Sequence, residues 1–267
     1  MKSCGIALFV MSCEPAPQAD APMPDASHED GSPAETVAPQ DGPARFVAEA
    51  IERHGGSQYE RSRVRFTFRD FEFEIERDGG HFRYERRYAD DQGRPVVEIM
   101  DNEGTRMEVG GERVELDPEE LRRVETDVNS VVYFSFLPFR LLEPAANHRE
   151  LGETEIEGEP YRMIEVTFDP DGGGTDWQDR FVHWIHRDEN TLDYFAYRYH
   201  RDGGGARFRR AVNRREVGGL LIQDFENFRA LQEPVADIAE FGQLLEEGGL
   251  ELLSLLVLED VQVMPLR

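Results

Sequence analysis

The stretch VRFTFRDFEFEIERDGGHFRY (residues 64–84) decides the fold. Val64, Phe66 and Phe68 are apolar at even positions, and Phe71, Phe73 and Ile75 at odd ones. Successive side chains of a strand point to opposite faces, so each run reads as a strand with one buried face. A straight strand cannot change parity, so Arg69-Asp70 marks a tight turn or a bulge. Asp78-Gly79-Gly80 supplies the next turn, and Phe82, Tyr84 and Tyr88 continue the alternation. Consecutive antiparallel hairpins follow.

Upstream, Phe46, Val47, Ala50 and Ile51 sit at helical spacing, and His54-Gly55-Gly56 ends that segment as a glycine cap would. Downstream, Asn102-Glu103-Gly104 and Gly110-Gly111 mark further hairpins. At Asp117-Pro118 the period changes. Pro118 fits a first helical turn, whose positive end suits Glu119 and Glu120. Asn129 and Ser130 are placed to cap a second helix through Val131, Val132, Tyr133, Phe134, Phe136 and Leu137, stopped near Pro138. That segment is apolar nearly all round, which predicts burial on more than one side. Strand patterns then return at 151–156, 161–168, 180–186, 192–199, 207–216 and 220–228. A helix near 235–245 and a last strand around 250–263 close the chain. Connections this short predict a meander. The expected class is α+β: a long, curved, mostly antiparallel sheet, an open half-barrel, enclosing a few apolar helices.

The 55 Asp and Glu outnumber 30 Lys and Arg, for a formal charge of -25. Nucleic acid, whose phosphates demand basic surface, is excluded as a partner. Lys2 is the only lysine. Such acidity fits either salt adaptation or a codon-driven preference for arginine, and neither bears on activity. Cys4 and Cys13 are the only cysteines, so nothing beyond Cys13 can form a disulfide or a thiolate metal site.

The N-terminus reads as an address. Lys2 precedes the apolar stretch Gly5 to Met11, and the small Ser12 stands directly before Cys13, with the aliphatic Val10 three before it. This resembles a bacterial lipoprotein signal peptide, which implies removal of residues 1–12 and lipidation of Cys13. Residues 13–43 are Pro, Ala, Asp, Glu and Ser-rich, with almost nothing to bury, and read as a disordered, lipid-anchored tether. A single half-barrel-like β domain is expected over 44–267. Glu14 follows the cysteine where an inner-membrane lipoprotein would carry aspartate, so the outer membrane is the expected location, on either face.

The helix ending in His54-Gly55-Gly56 resembles the start of the LolA/LolB-type lipoprotein carriers. The phrases Leu151-Gly152…Ile156-Glu157-Gly158…Tyr161…Ile164 and Val217-Gly218-Gly219-Leu220 resemble their paired strands. Asn129 to Phe134, the Leu137-Pro138 step and the Gly-Gly-Gly loops resemble an uncharacterised family of envelope lipoproteins of this type. The resemblance implies an open antiparallel half-barrel and an envelope location. It does not imply lipoprotein transport, because fold does not fix function.

Candidate chemistry is sparse. Asp169, Asp171, Asp176 and Asp179 surround one Gly-Gly-Gly turn and Asp202 adjoins another, and loops two connections apart in a meander share one end of the sheet. Five aspartates there supply the hard oxygen ligands of calcium, or are simply glycine turns in a very acidic chain. His183 and His186, three apart in a strand, point to opposite faces; His200 either meets His186 across the hairpin or, the favoured reading, is simply an exposed or stacked histidine. Glu98 and Glu165 are expected in solvent. No nucleophile elbow, phosphate loop or metalloprotease pair is present, and no cofactor is implied. The aromatic surplus either fills a core or lines a greasy cavity. The favoured reading is a non-enzymatic envelope lipoprotein. It binds a lipid or acyl chain through a wall that includes Val131, Tyr133, Phe134, Phe136 and Leu137. The alternatives are a protein-interaction module with a filled core and, more weakly, a hydrolase.

Overall fold

The structure, a computed structural model, describes residues 42–171, 177–200, 204–232 and 234–266. The opening alternation becomes β1 (Arg61–Phe68), β2 (Phe71–Asp78) and β3 (His81–Ala89). The parity switch is a tight turn, with Arg69 at positive φ. Phe66 and Phe73 are register partners whose rings stack at 5.2 Å, a cross-strand pair of the kind that stabilises a sheet. The expected turns then lead through β4 (Pro95–Asp101), β5 (Gly104–Val109) and β6 (Glu112–Val114).

The second half forms β7 (Ala146–Ile156), β8 (Glu159–Phe168), β9 (Arg180–His186), β10 (Leu192–Tyr199), β11 (Gly205–Val217) and β12 (Leu220–Ala230). All described strand neighbours are antiparallel. The α+β class and the open antiparallel architecture are therefore as expected. Its strands are divided between two seven-stranded sheets, β1 to β6 building one and β7 to β12 the other, and the last stretch of chain adds one strand to each. Residues there form β13 (Leu250–Leu256), paired to β12, and β14 (Glu259–Pro265), paired to β1. The orders are β14-β1-β2-β3-β4-β5-β6 and β13-β12-β11-β10-β9-β8-β7. The exchange happens at Leu258, whose backbone leaves the ladder for side chains. Its N–H donates to Asp224 Oδ1 at 3.0 Å, and its carbonyl accepts from Arg215 at 2.6 Å.

Helix α1 (Pro43–Arg53) lays Phe46, Val47 and Ala50 on the second sheet, among Ile164, Val166 and Leu192. Helix α2 (Pro118–Ser135) opens with a capping box between Asp117 and Glu120. It is one continuous helix through Asn129 and Ser130, not the two expected. The reason is tertiary: Val124, Val128 and Val132 form an unbroken stripe that, with Phe136 just beyond, is buried against the first sheet. Asn129 caps nothing there; its Oδ1 accepts from Arg140 at 2.6 Å. The C-terminal helix is shorter than expected: a 3-10 turn (Ile238–Glu240) followed by α3 (Phe241–Glu246).

At its middle strand β9 the second sheet is buried on both faces. Phe181 and Ile185 of β9 face α1, whereas Val182 and Trp184 face the opposite cluster, which Ile238 and Phe241 cover. Residues 181–186 are accordingly all buried. No helix among the described residues is long and apolar enough to cross a membrane.

Candidate functional site

Where the two sheets part, the last turns of α2 leave a cleft of about 220 Å³. Its apolar wall is Phe68 from the end of β1, Val131 and Phe134 from α2, Phe225 from β12, Leu256 from β13, and Leu258. The strand exchange at Leu258 borders the opening. The polar lining is Arg69, Ser130, Ser135, Arg209 and Gln223. Gln223 is already engaged, donating to the carbonyl of Leu192 at 2.9 Å and accepting from Arg214 at 3.1 Å.

Arg209 reaches the cleft from β11, opposite Phe195 in register. Its guanidinium lies over three rings, 4.6 Å from the centroid of Phe134, 5.5 Å from Tyr197 and 5.6 Å from Phe195. One terminal nitrogen donates to the Tyr197 hydroxyl at 3.1 Å. The Nε–H is buried without an acceptor among the described residues.

Of the five side chains expected to bind ligand, Val131 and Phe134 line this cleft. Tyr133 packs beneath Arg140 and edge-on to Phe134, and burial pushes its phenol pKa upward. Phe136 packs against Tyr59 and Phe66 in the core over the first sheet. Leu137, just before a cis bond to Pro138, lies in the core under α1. Sequence reasoning missed Phe68, Arg69, Arg209, Phe225, Leu256 and Leu258. These residues come from separate strands, and the one local signal was an arginine on the inward parity of β11.

The aspartates expected to bind calcium are only partly described. Asp169 accepts from Asn147 Nδ2 at 2.8 Å, Asp171 is exposed, and Asp179 lies 3.4 Å from His200 Nδ1. Asp176 and Asp202 lie outside the described residues, as does Cys13. Among the described residues, no three Asp, Glu, His or Cys side chains are grouped to hold a metal ion. His200 does not meet His186, because the β9–β10 register sets Ile185 beside Leu192 and Arg180 beside Arg198. His186 instead accepts from the backbone N–H groups of Asp188 and Glu189.

The two glutamates expected in solvent are buried. Glu98 accepts from Arg86 Nε at 2.5 Å and from the Tyr88 hydroxyl at 3.1 Å, and Arg86 also pairs with Asp127 of α2 at 2.9 Å. Glu165 pairs with Arg149 at 2.6 Å and with Arg180. Burial alone would raise the Glu165 pKa, but hydrogen bonds from both guanidiniums outweigh it and hold the carboxyl below the usual range. Both clusters hold the structure together away from the cleft.

No curated protein matches the sequence. Among solved structures, the chain is similar to a LolA superfamily protein from Nitrosomonas europaea, at 14% identity and a TM-score of 0.46, over 85% of this chain and 94% of that one. It is similar to a putative outer membrane lipoprotein-sorting protein domain from Vibrio parahaemolyticus, at 8% identity and a TM-score of 0.41, over 82% and 91%. It is also similar to the lipoprotein LppX of Mycobacterium tuberculosis, at 11% identity and a TM-score of 0.28, over 60% and 89%. The architecture itself rests on the strand order above. A family model described as a family of unknown function, DUF6503, matches residues 46–257, and the protein belongs to that family.

Proposed function

We propose that this protein is a non-enzymatic binding protein of the cell envelope. It takes part of an apolar or amphipathic chain into the cleft between its sheets and is held at the membrane by a lipid on Cys13. The cleft carries the reading. Phe68, Val131 and Leu258 belong to the cluster over the first sheet and Phe134, Phe225 and Leu256 to the one under α1, and between these two clusters their side chains leave a gap. Covering such surface is worth about 25 cal/mol per Å², which a bound alkyl chain supplies. The volume is below the about 300–1,000 Å³ of pockets that enclose a whole ligand, so the cleft takes one segment of a chain.

The buried carboxylates Glu85, Glu98, Glu165 and Asp224 are each paired with arginine, and none lines the cleft, so the hydrolase reading gains no residue. A protein-interaction module stands as the second reading. It is favoured by Leu252, Leu253 and Leu255, exposed on the edge strand β13.

Displacement of a polarity-sensitive naphthylamine probe by decanol tests the binding reading. Decanol should compete on the native protein, and Val131→Trp, which fills the cleft, should weaken it about tenfold, or about 1.4 kcal/mol. No displacement from the native protein by decanol or by any of its charged ten-carbon analogues leaves the interaction module in its place. The anchor is read separately by labelling cells with a clickable fatty acid: the label should appear on the native chain and vanish in Cys13→Ser.

A further inference from the structure

The charge around this cleft runs against the rest of the molecule. The chain carries a formal charge of -25, and most arginines of the described residues are matched to a carboxylate, as Arg63 is to Glu76, Arg86 to Glu98 and Arg210 to Glu226. The two arginines that line the cleft are exceptions. Arg69 lies over the Phe68 ring at 5.2 Å, and Arg209 lies over Phe134, Phe195 and Tyr197. Neither pairs with a carboxylate among the described residues, and no Asp or Glu lines the cleft. The site is a cationic spot in an acidic protein.

Arg209 is also unsatisfied at one atom. Its rings account for the burial of the guanidinium, since a cation is attracted to an aromatic face. They do not account for the Nε–H, which is buried without an acceptor among the described residues. A buried donor left unmade is costly, and more so when it is charged. That nitrogen has no exposed surface, so an anion meets Arg209 at the side that lines the cleft, where the planar guanidinium suits the two oxygens of a carboxylate or phosphate. The Phe134 ring joins the two halves of the site, because it lies under Arg209 and also forms the apolar wall.

We infer that the cleft selects an anionic amphiphile with one alkyl chain, its carboxylate or phosphate head held by Arg209 with Arg69 at the rim, and its chain against Phe134, Phe225 and Leu256. This rests on the cleft binding a chain at all, and adds the sign of the head group. Arg209 bonds Tyr197 as well, so its loss could disturb packing; Arg69 is exposed and its replacement leaves the core untouched.

The experiment compares decanoate, decyl phosphate, decanol and decyltrimethylammonium, below their micelle-forming concentrations, on the full protein at low salt. Either anion, or both, should bind about tenfold tighter than decanol, and the cation more weakly. The anion that wins names the head group. Arg209→Gln and Arg69→Gln should each lower anion affinity more than decanol affinity, Arg69→Gln without moving the thermal midpoint, and added salt should reduce the preference in the native protein. Equal affinity for decanol and both anions overturns the inference but leaves chain binding standing. So does an anion preference that survives both substitutions. Failure of all four ligands to bind overturns the binding reading itself.

Discussion

At the scale of single residues, the decisive group is Glu98. Alternation more simply places it in solvent, yet it shares the parity of the buried Val96. Pairing decides. Arg86 stands directly opposite on β3, and Asp127 and Tyr88 complete the cluster, so the carboxylate is fully buried yet hydrogen-bonded. Removing one partner of such a pair strands the other. Glu98→Ala should therefore cost about 3–5 kcal/mol, read as a lower urea midpoint. The double change Glu98→Leu with Arg86→Met should recover most of that loss, because no buried charge remains. A loss under about 1 kcal/mol for Glu98→Ala, typical of an exposed pair, would show the cluster to be open to solvent. The partners lie 12 and 29 positions away in sequence (98 − 86, 127 − 98), which is why the residue itself did not disclose its burial.

At the scale of elements, the glycine after α1 has two jobs, of which one was legible. His54-Gly55-Gly56 ends the helix as the sequence suggests, with Gly55 at φ 129. The second job is packing. A Cβ on Gly55 would lie 2.7 Å from the Gly219 carbonyl oxygen and 3.2 Å from Leu220 Cα, where the β11–β12 turn passes. The two segments are also bonded, Leu221 N–H donating to the His54 carbonyl at 2.9 Å. Gly55→Ala should cost about 1–3 kcal/mol through strain and displaced backbone. For a domain of this size that is about 2–4 °C in Tm per kcal/mol. Gly79 also has positive φ but open space around it, so Gly79→Asn should be nearly silent. Equal Tm values for Gly55→Ala and the native protein would mean that the turn moves aside freely. The continuity of α2 is a similar case: local capping residues at 129–130 favoured a break, and a buried valine stripe overrode them.

At the scale of the whole molecule, two buried histidines tie stability to pH. His54 is pushed from 6.5 to about 3, by burial first and then by Arg214 and Arg53. His183 is pushed to about 3 by burial and then by His148, its ring stacking between Phe181 and Phe195. In the unfolded chain both rings take up protons below 6.5, whereas in the folded protein they remain neutral until about 3. The unfolded state thus binds more protons in that window. Stability is full above about pH 6.5 and falls as pH drops toward 3, by up to about 1.4 kcal/mol per pH unit for each ring. Thermal melts from pH 7 to 4 should show this, and His183→Phe should make the slope shallower by about one ring's share. An unchanged slope in that variant would place the acid sensitivity elsewhere.

The sequence by itself determined the class, the antiparallel meander and most strands; β9 and β10 begin and end where alternation put them. It could do so because period and turn chemistry are local, written within a few residues of where they act. Only the tertiary structure decided that the strands divide between two sheets, that the second sheet is covered on both faces at β9, and that Arg209 meets Phe134 across a cleft. Those outcomes depend on residues far apart in the chain: Asp224 taking the backbone of Leu258, Phe241 covering Trp184, α2 reaching β11. A cleft is a place where packing stops. Its position follows from how the two sheets and the helix meet, and periodicity within one strand carries no record of that.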